Sequence, residues 1–349
     1  MLSLYKTTKL TKQLLKWAGI SIIALLTIIF LFKGGTIIKE IISPTPPPPP
    51  TVSFGKLPSI EFPVSAIQPP ISYSLDTVTG ALPVFPDRVK VYKFSSPPSN
   101  LLALKRAEGI LSKIGFQSQP VFVADNVYQW TKQDNLYEKL VFDILTFNLQ
   151  LSSDFIMNDQ VLKAKNLPNE VEANQEIQSF LTEILALPTD LDQGKTKTTF
   201  FSIKNSELIP TASLSTAQLI RIDLFQKDVD KLPIYYSNHP FSTMNFLVGS
   251  DSYGRGEIVK ANLFHQNISN ESATYPIKTA EEVLSLLKEG KAHIVSYNGD
   301  AKNISIKNIF LGYYMGETPQ EYLTPIVIFE GDNGFTAYMP IIKDDWIKN

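Results

Sequence analysis

The chain has 349 residues, no cysteine and a formal net charge of −2. Without cysteine there are no disulfides, thiolate metal sites or cysteine nucleophiles, so stability must come from packing. Residues 1–40 hold six Lys and one Glu, which leaves the remainder of the chain at −7; an acidic exterior of this kind argues against nucleic acid and anionic lipid as partners.

Leu14 to Phe32 reads LLKWAGISIIALLTIIFLF, with Lys16 its only charge. At 1.5 Å rise per residue this run spans roughly 28 Å, close to the hydrocarbon thickness of a bilayer, and it reads as a single transmembrane helix over 14–32. Lys6, Lys9 and Lys12 precede it with no acidic residue. The positive-inside rule then makes residues 1–13 a cytosolic tail and the rest an extracytoplasmic region on the cell membrane. A cleaved signal peptide is the competing reading, but the run is longer than a usual h-region. KGGTIIKEII after it also lacks a small-residue cleavage site.

Residues 33–63 read as a Pro-rich stalk. Pro46 to Pro50 fix φ near −65° and favour polyproline II, a fully solvated backbone that reaches at most roughly 65 Å over residues 43–63. A spacer is preferred over a ligand for SH3 or WW modules, which are mostly cytosolic.

Two extracytoplasmic lobes are expected beyond the stalk, 64–210 and 211–349. In the first, RVKVYKF (Arg88–Phe94) is an edge strand among prolines. Asn100–Phe116 is an amphipathic helix with Ala103, Leu104, Ala107, Ile110, Leu111 and Ile114 on one face and Gly115 as its stop. NVYQW and the run Lys139–Leu151 then read as one strand each. Asn169–Leu187 is helical by composition, and Thr198–Ile203 is strand-like.

In the second lobe QLIRIDLF and IYYS are strands, and Met244–Phe264 is a hairpin broken by Gly249, Gly254 and Gly256. Thr279–Gly290 is a helix with a Thr279/Glu282 capping box and a C-terminal glycine. Strands follow at Asn303–Gly316, Tyr322–Gly331 and Phe335–Ile342, the last two joined through Asn333-Gly334 as a type I′ turn. Pro325 belongs near a strand start or an edge. The fold class predicted is α+β, antiparallel sheets each packed by an amphipathic helix, with the unit occurring twice.

The second occurrence, TAEEVLSLLKEGKAHI followed by ISIKNIFLGYY and YLTPIVIFEGDNGFTAYMPII, resembles the PepSY-like repeats of the YycH/YycI type of membrane-anchored bacterial regulators over roughly residues 215–342. The resemblance implies a non-catalytic role: regulating a sensor kinase, restraining a peptidase, or binding envelope components. It supplies no catalytic residues. The polyproline stalk and the long middle segment depart from the pattern.

Catalytic motifs are weak. Ser285 and Lys288 match S-x-x-K but sit on a polar helix face without K-T-G or S-D-N elsewhere. GSDSYGRG lacks the ending of a phosphate loop. His239, His265 and His293 have no ligand spacing, so no metal or cofactor is assigned. Asp300 and Asp332 read as turn caps, and the three N-x-S sequons as chance. The candidate partner contacts are Tyr235, Tyr236, Tyr313 and Tyr314: adjacent strand residues face opposite ways, so one of each pair is expected in solvent. The function expected is a membrane-anchored, non-catalytic binding or regulatory module contacting an envelope protein, peptide or glycan. The alternative is an envelope hydrolase with an unlocated acidic pair.

Overall fold

Short runs of alternating apolar residues between turn signals make strands, and strands dominate the computed structural model. It describes Trp17, Leu25 and Thr27, then residues 49–65, 72–163, 166–251, 255–299 and 303–348. Among these no helix is long and apolar enough to cross a membrane. Apart from those three residues, the tail and span read at 1–32 lie outside the described residues, as do Asp300 and the stalk up to residue 48.

In chain order the elements begin with Ser72–Leu75 (β1), Arg88–Phe94 (β2) and helix Ala103–Leu111 (α1). Val121–Ala124 (β3), Val127–Thr131 (β4), Lys139–Asp143 (β5), Leu149–Ser152 (β6) and helix Glu170–Glu183 (α2) follow. Next come Lys197–Lys204 (β7), Glu207–Thr211 (β8), Leu219–Leu224 (β9), Ile234–Tyr236 (β10), Met244–Ser250 (β11) and Gly256–Leu263 (β12). Ile268–Pro276 (β13), helix Ala280–Lys288 (α3), His293–Ser296 (β14), Asn303–Met315 (β15), Tyr322–Gly331 (β16) and Thr336–Pro340 (β17) complete the chain.

Nine strands form one antiparallel sheet in the order β3-β4-β5-β6-β12-β11-β9-β7-β8. Period-two alternation turns Trp130, Leu140, Phe142, Leu151, Ile222 and Phe246 into the main core, where α2 adds Ala173, Ile177 and Leu181. The other sheet is built on the long β15–β16 ribbon. β15 takes two parallel partners in succession, β1 at Asn303–Ile306 and β10 at Tyr313–Met315. β16 pairs with β2 at Tyr322–Leu323 and with β17 at Ile326–Glu330. β13 extends β2, and β14 extends β17. Pro325, which has no N–H to give a ladder, is in register with Tyr313 of β15 and, on the other edge of β16, falls in the interval between β2 and β17.

The α+β expectation of helix-packed repeats is therefore corrected to two large sheets, with three helices longer than one turn among the described residues. The strands after α1 do not close a sheet of their own. The β6 edge would expose unpaired backbone groups, and it pairs instead with β12. The boundary read at 210/211 falls inside β8, a strand of the nine-stranded sheet, and Pro50–Asn349 is a single compact unit. The single strand read at Lys139–Leu151 is two, because the Asp143 carboxylate accepts from the N–H groups of Leu145 and Thr146 and turns the chain.

The stalk reading is corrected from residue 50 onward. Val52 N donates to Thr274 O at 3.1 Å, Leu57 N to Trp346 O at 2.8 Å, and Lys348 N to Leu57 O at 2.8 Å. Leu57 is fully buried with Val91, Tyr275 and Ile342, a placement worth about 1.5–3 kcal/mol. Phe62 stacks on His293 and meets the edge of Tyr314, both at 4.8 Å between ring centres. Residues 50–65 are thus a strap on the eight-stranded sheet, held by Leu57, Ile60 and Phe62 among the prolines.

Local signals elsewhere match. Thr279 and Glu282 form the reciprocal capping box, and Gly115 and Gly290 have φ of 90° and 76°. In the last hairpin Phe335 N donates to Asp332 O at 3.0 Å across Asn333 (φ 54°) and Gly334 (φ 68°), the type I′ geometry, with one extra residue bulged on the β16 side. Gly334→Val should lower stability by about 1–3 kcal/mol through backbone strain. Denaturant titration checks this, and an unchanged midpoint would show that the turn tolerates a β-branched residue.

Candidate functional site

One face of the nine-stranded sheet joins the main core, and the other carries a smaller apolar cluster with Leu219, Leu247 and Val259 but is polar toward β4, β5 and β6. On this second face, the ladder register lines up Gln129, Val141, Gln150 and Asn262 across β4, β5, β6 and β12. Val141, Gln150 and Asn262 floor a groove of ≈ 760 Å³. Its walls are residues 94–98 after β2, the β5–β6 turn at Leu145–Asn148, the segment Phe264–Asn267 after β12, and Glu317–Gln320 between β15 and β16.

Two devices fix those walls. Gln266 donates through Nε2 to Gln320 O and accepts through Oε1 from Gln320 N, each at 3.0 Å, so one side chain clips two walls together. Beneath it, His265 Nε2 lies 2.8 Å from Asp190 Oδ1, and Gln226 Nε2 donates to Asp190 Oδ2 at 2.7 Å. Burial pushes the Asp190 carboxyl up, but the hydrogen bonds from His265 and Gln226 and the imidazole charge outweigh it and hold the carboxyl below the usual range.

Several amide ends remain unspent. Asn148 uses its oxygen to accept from His265 N, and Asn262 uses its nitrogen to donate to Thr243 O. Gln320 accepts from Gly316 N, leaving its own NH₂. Among the described residues, Gln150 and Asn267 have no side-chain hydrogen-bond partner. Asn148 and Gln320 donors, the Asn262 acceptor, and both ends of Gln150 and Asn267 therefore border a groove that also holds Phe94, Phe147 and Phe264. Reading the sequence for motifs missed these residues. The available signal is the alternation in NLQLS and KANL, which puts Gln150, Ser152, Lys260 and Asn262 on one face.

The tyrosine expectation fails for a physical reason. Tyr313 and Tyr314 are 0% and 1% exposed and Tyr236 2%, while Tyr235 is half-buried. Both faces of the β15–β16 ribbon are covered, one by the main core and the other by the strap, so neither member of the 313/314 pair reaches open solvent. Tyr313 donates to Lys90 O at 3.0 Å, Tyr236 accepts from Gln226 N at 3.1 Å, and Tyr235 donates to Glu330 Oε1 at 3.3 Å. The structure places Tyr235 beside Tyr314 in register.

His239 packs against Tyr235 and His293 against Phe62, and burial lowers both pKa values. No metal-holding group of His, Cys, Asp and Glu occurs among the described residues. Ser285 is exposed on α3, with Oγ 3.5 Å from Glu289 Oε1. Glu138, Asp154 and Glu257 line a cavity of ≈ 240 Å³. Burial raises the Glu138 pKa, yet Lys132 Nζ holds both of its oxygens at 2.9 Å.

The Asp190 anchor has a definite pH signature. A depressed folded pKa stabilises the fold above the unfolded value of about 3.9 and loses that contribution as pH falls through the still lower folded value. Asp190→Asn should therefore cost about 1–3 kcal/mol near pH 7 and much less near about pH 3. Denaturation at the two pH values checks this, and equal losses at both would remove the ionised anchor from the account.

No family model matches the chain, and no curated protein matches it. An uncharacterized protein from Eubacterium rectale ATCC 33656, solved at 1.45 Å, is similar over 72% of this chain and 82% of its own, with 14% identity and a TM-score of 0.38; at that score the likeness carries no fold or function.

Proposed function

We propose that the chain is a membrane-anchored, extracytoplasmic, non-catalytic binding module that holds an extended peptide segment of an envelope protein in the groove. Residues 14–32 supply the anchor, and the proline run spaces the domain from the bilayer.

The unspent amide ends around the groove support this reading best. A peptide bond presents one donor and one acceptor, the same pair that Asn and Gln side chains offer, so it meets Gln150, Asn262 and Gln320 without leaving a desolvated polar group behind. Phe94, Phe147, Phe264, Pro97 and Pro98 provide apolar surface for side chains that point into the walls. A glycan, covered with hydroxyl groups, makes less use of that surface. The groove volume is in the range that small ligands and short peptide segments fill.

For the hydrolase alternative, Glu138, Asp154 and Glu257 share one cavity. The Lys132 grip on Glu138 favours a structural ion pair over a general acid, which needs a free proton-carrying oxygen.

Peptides selected from a displayed random library against the full chain in detergent test the reading. Gln150→Leu and Asn267→Leu should each weaken the selected peptides by roughly 5–30-fold with an unchanged melting temperature, because each strands a peptide donor or acceptor. Equal affinity for parent and variants, or enrichment confined to polysaccharide probes, would contradict it.

A further inference from the structure

Across the Glu317–Gln320 wall from the groove lies a second cavity, of ≈ 500 Å³. The strap at Pro58–Pro63 forms one side and the β15–β16 turn the other. Glu61, Glu317 and Glu321 line it, and no Lys, Arg or His does. None of the three carboxylates makes an ion pair among the described residues. Glu317 accepts one hydrogen bond, from Ser237 Oγ at 2.9 Å.

Surface carboxylates alone are usually a solvated face; Tyr314 makes this place different. It lines the cavity although it is 1% exposed, and its ring is fixed between Phe62 and Tyr338 at 4.8 and 6.0 Å. Its hydroxyl makes no hydrogen bond to another described residue, and it lines the cavity. Burial, with the charge of Glu317, pushes its pKa up to about 12, so it stands as a neutral O–H. Without a protein partner, that hydroxyl is left to bond whatever occupies the cavity.

The ligand that satisfies all of these groups carries positive charge and several N–H donors. The carboxylates attract the charge, the Tyr314 oxygen accepts a hydrogen bond, and the rings of Phe62 and Tyr322 offer π surface. An acidic chain, at −7 beyond residue 40, is matched to a basic partner in the same sense. We propose that this cavity binds the ammonium or guanidinium group of a Lys or Arg side chain on a peptide held in the neighbouring groove. The partner rests on the peptide reading above; the cation site itself does not.

Fluorotyrosine-labelled full chain in detergent, titrated with n-butylammonium, methylguanidinium and neutral N-methylurea, tests the cavity. The Tyr314 and Tyr322 signals, assigned from Tyr→Phe variants, should shift and saturate with the two cations and not with the urea. Added salt should weaken the response. The Glu61→Gln/Glu321→Gln pair should weaken cation binding about tenfold, and Tyr314→Phe about threefold to tenfold at unchanged melting temperature. An equal response to N-methylurea, or indifference to these variants, overturns the cation site. Arg-containing library peptides and their citrulline counterparts form the second arm. A loss of about tenfold on citrulline substitution supports the coupling of cavity and groove, and equal binding overturns it. Cation binding without any peptide binding leaves the cation site standing and overturns the peptide reading.

Discussion

The β15–β16 ribbon has to bury both of its faces, and the surrounding structure follows from that requirement. A strand covered on both sides reads as a nearly continuous apolar run, as TPIVIF in β16 does. One face of the ribbon, with Leu311, Tyr313, Val327 and Phe329, joins the main core. The opposite face, with Tyr314, Ile326 and Ile328 and with Tyr338 of the adjoining β17, would be an apolar patch in solvent if nothing lay over it. Ile60 and Phe62 of the strap cover it, and Phe310 of β15 and Tyr235 of β10 extend the same apolar surface within the sheet. Gly312 belongs to the same arrangement. A Cβ there would lie 2.9 Å from Pro233 O, the acceptor of Tyr313 N, so only glycine lets the β10 segment come this close.

The ribbon also positions the candidate site. The turn between its strands, Gly316–Glu321, is one wall of the groove on one side and one wall of the acidic cavity on the other. Rooted in two long, doubly buried strands and clipped by Gln266, that turn is a fixed partition. The nine-stranded sheet contributes the contrasting property. Its inner face is core, and its outer face keeps amide side chains available because, among the described residues, no layer covers β4, β5 and β6 there. The polar floor and the rigid partition thus come from different sheets.

Features set by neighbours in sequence were legible. The Thr279/Glu282 box, the glycine stops after α1 and α3, the β11–β12 hairpin and the Asn333-Gly334 turn each depend on a few adjacent residues. Pairings across long separations were not. Nothing in SYSL or IYY announces a parallel partner in β15, since strand pairing is chosen by global burial. The strap was hidden because prolines dominate its composition, while its anchoring depends on three apolar side chains and on backbone partners more than 200 residues away. The tyrosines were misplaced because alternation tells which side a residue faces and not whether that side is covered. The groove draws on segments from residue 94 to residue 320, so no single motif could mark it.

A photocrosslinking residue placed at Gln150 in the full-length protein in cells, followed by mass spectrometry of the adducts, tests the central claim most directly. The account predicts adducts with a segment of an envelope protein that carries Lys or Arg within a few residues of the crosslinked position. Adducts no more frequent than from a crosslinker at exposed Lys56, or adducts only with glycan, would contradict it.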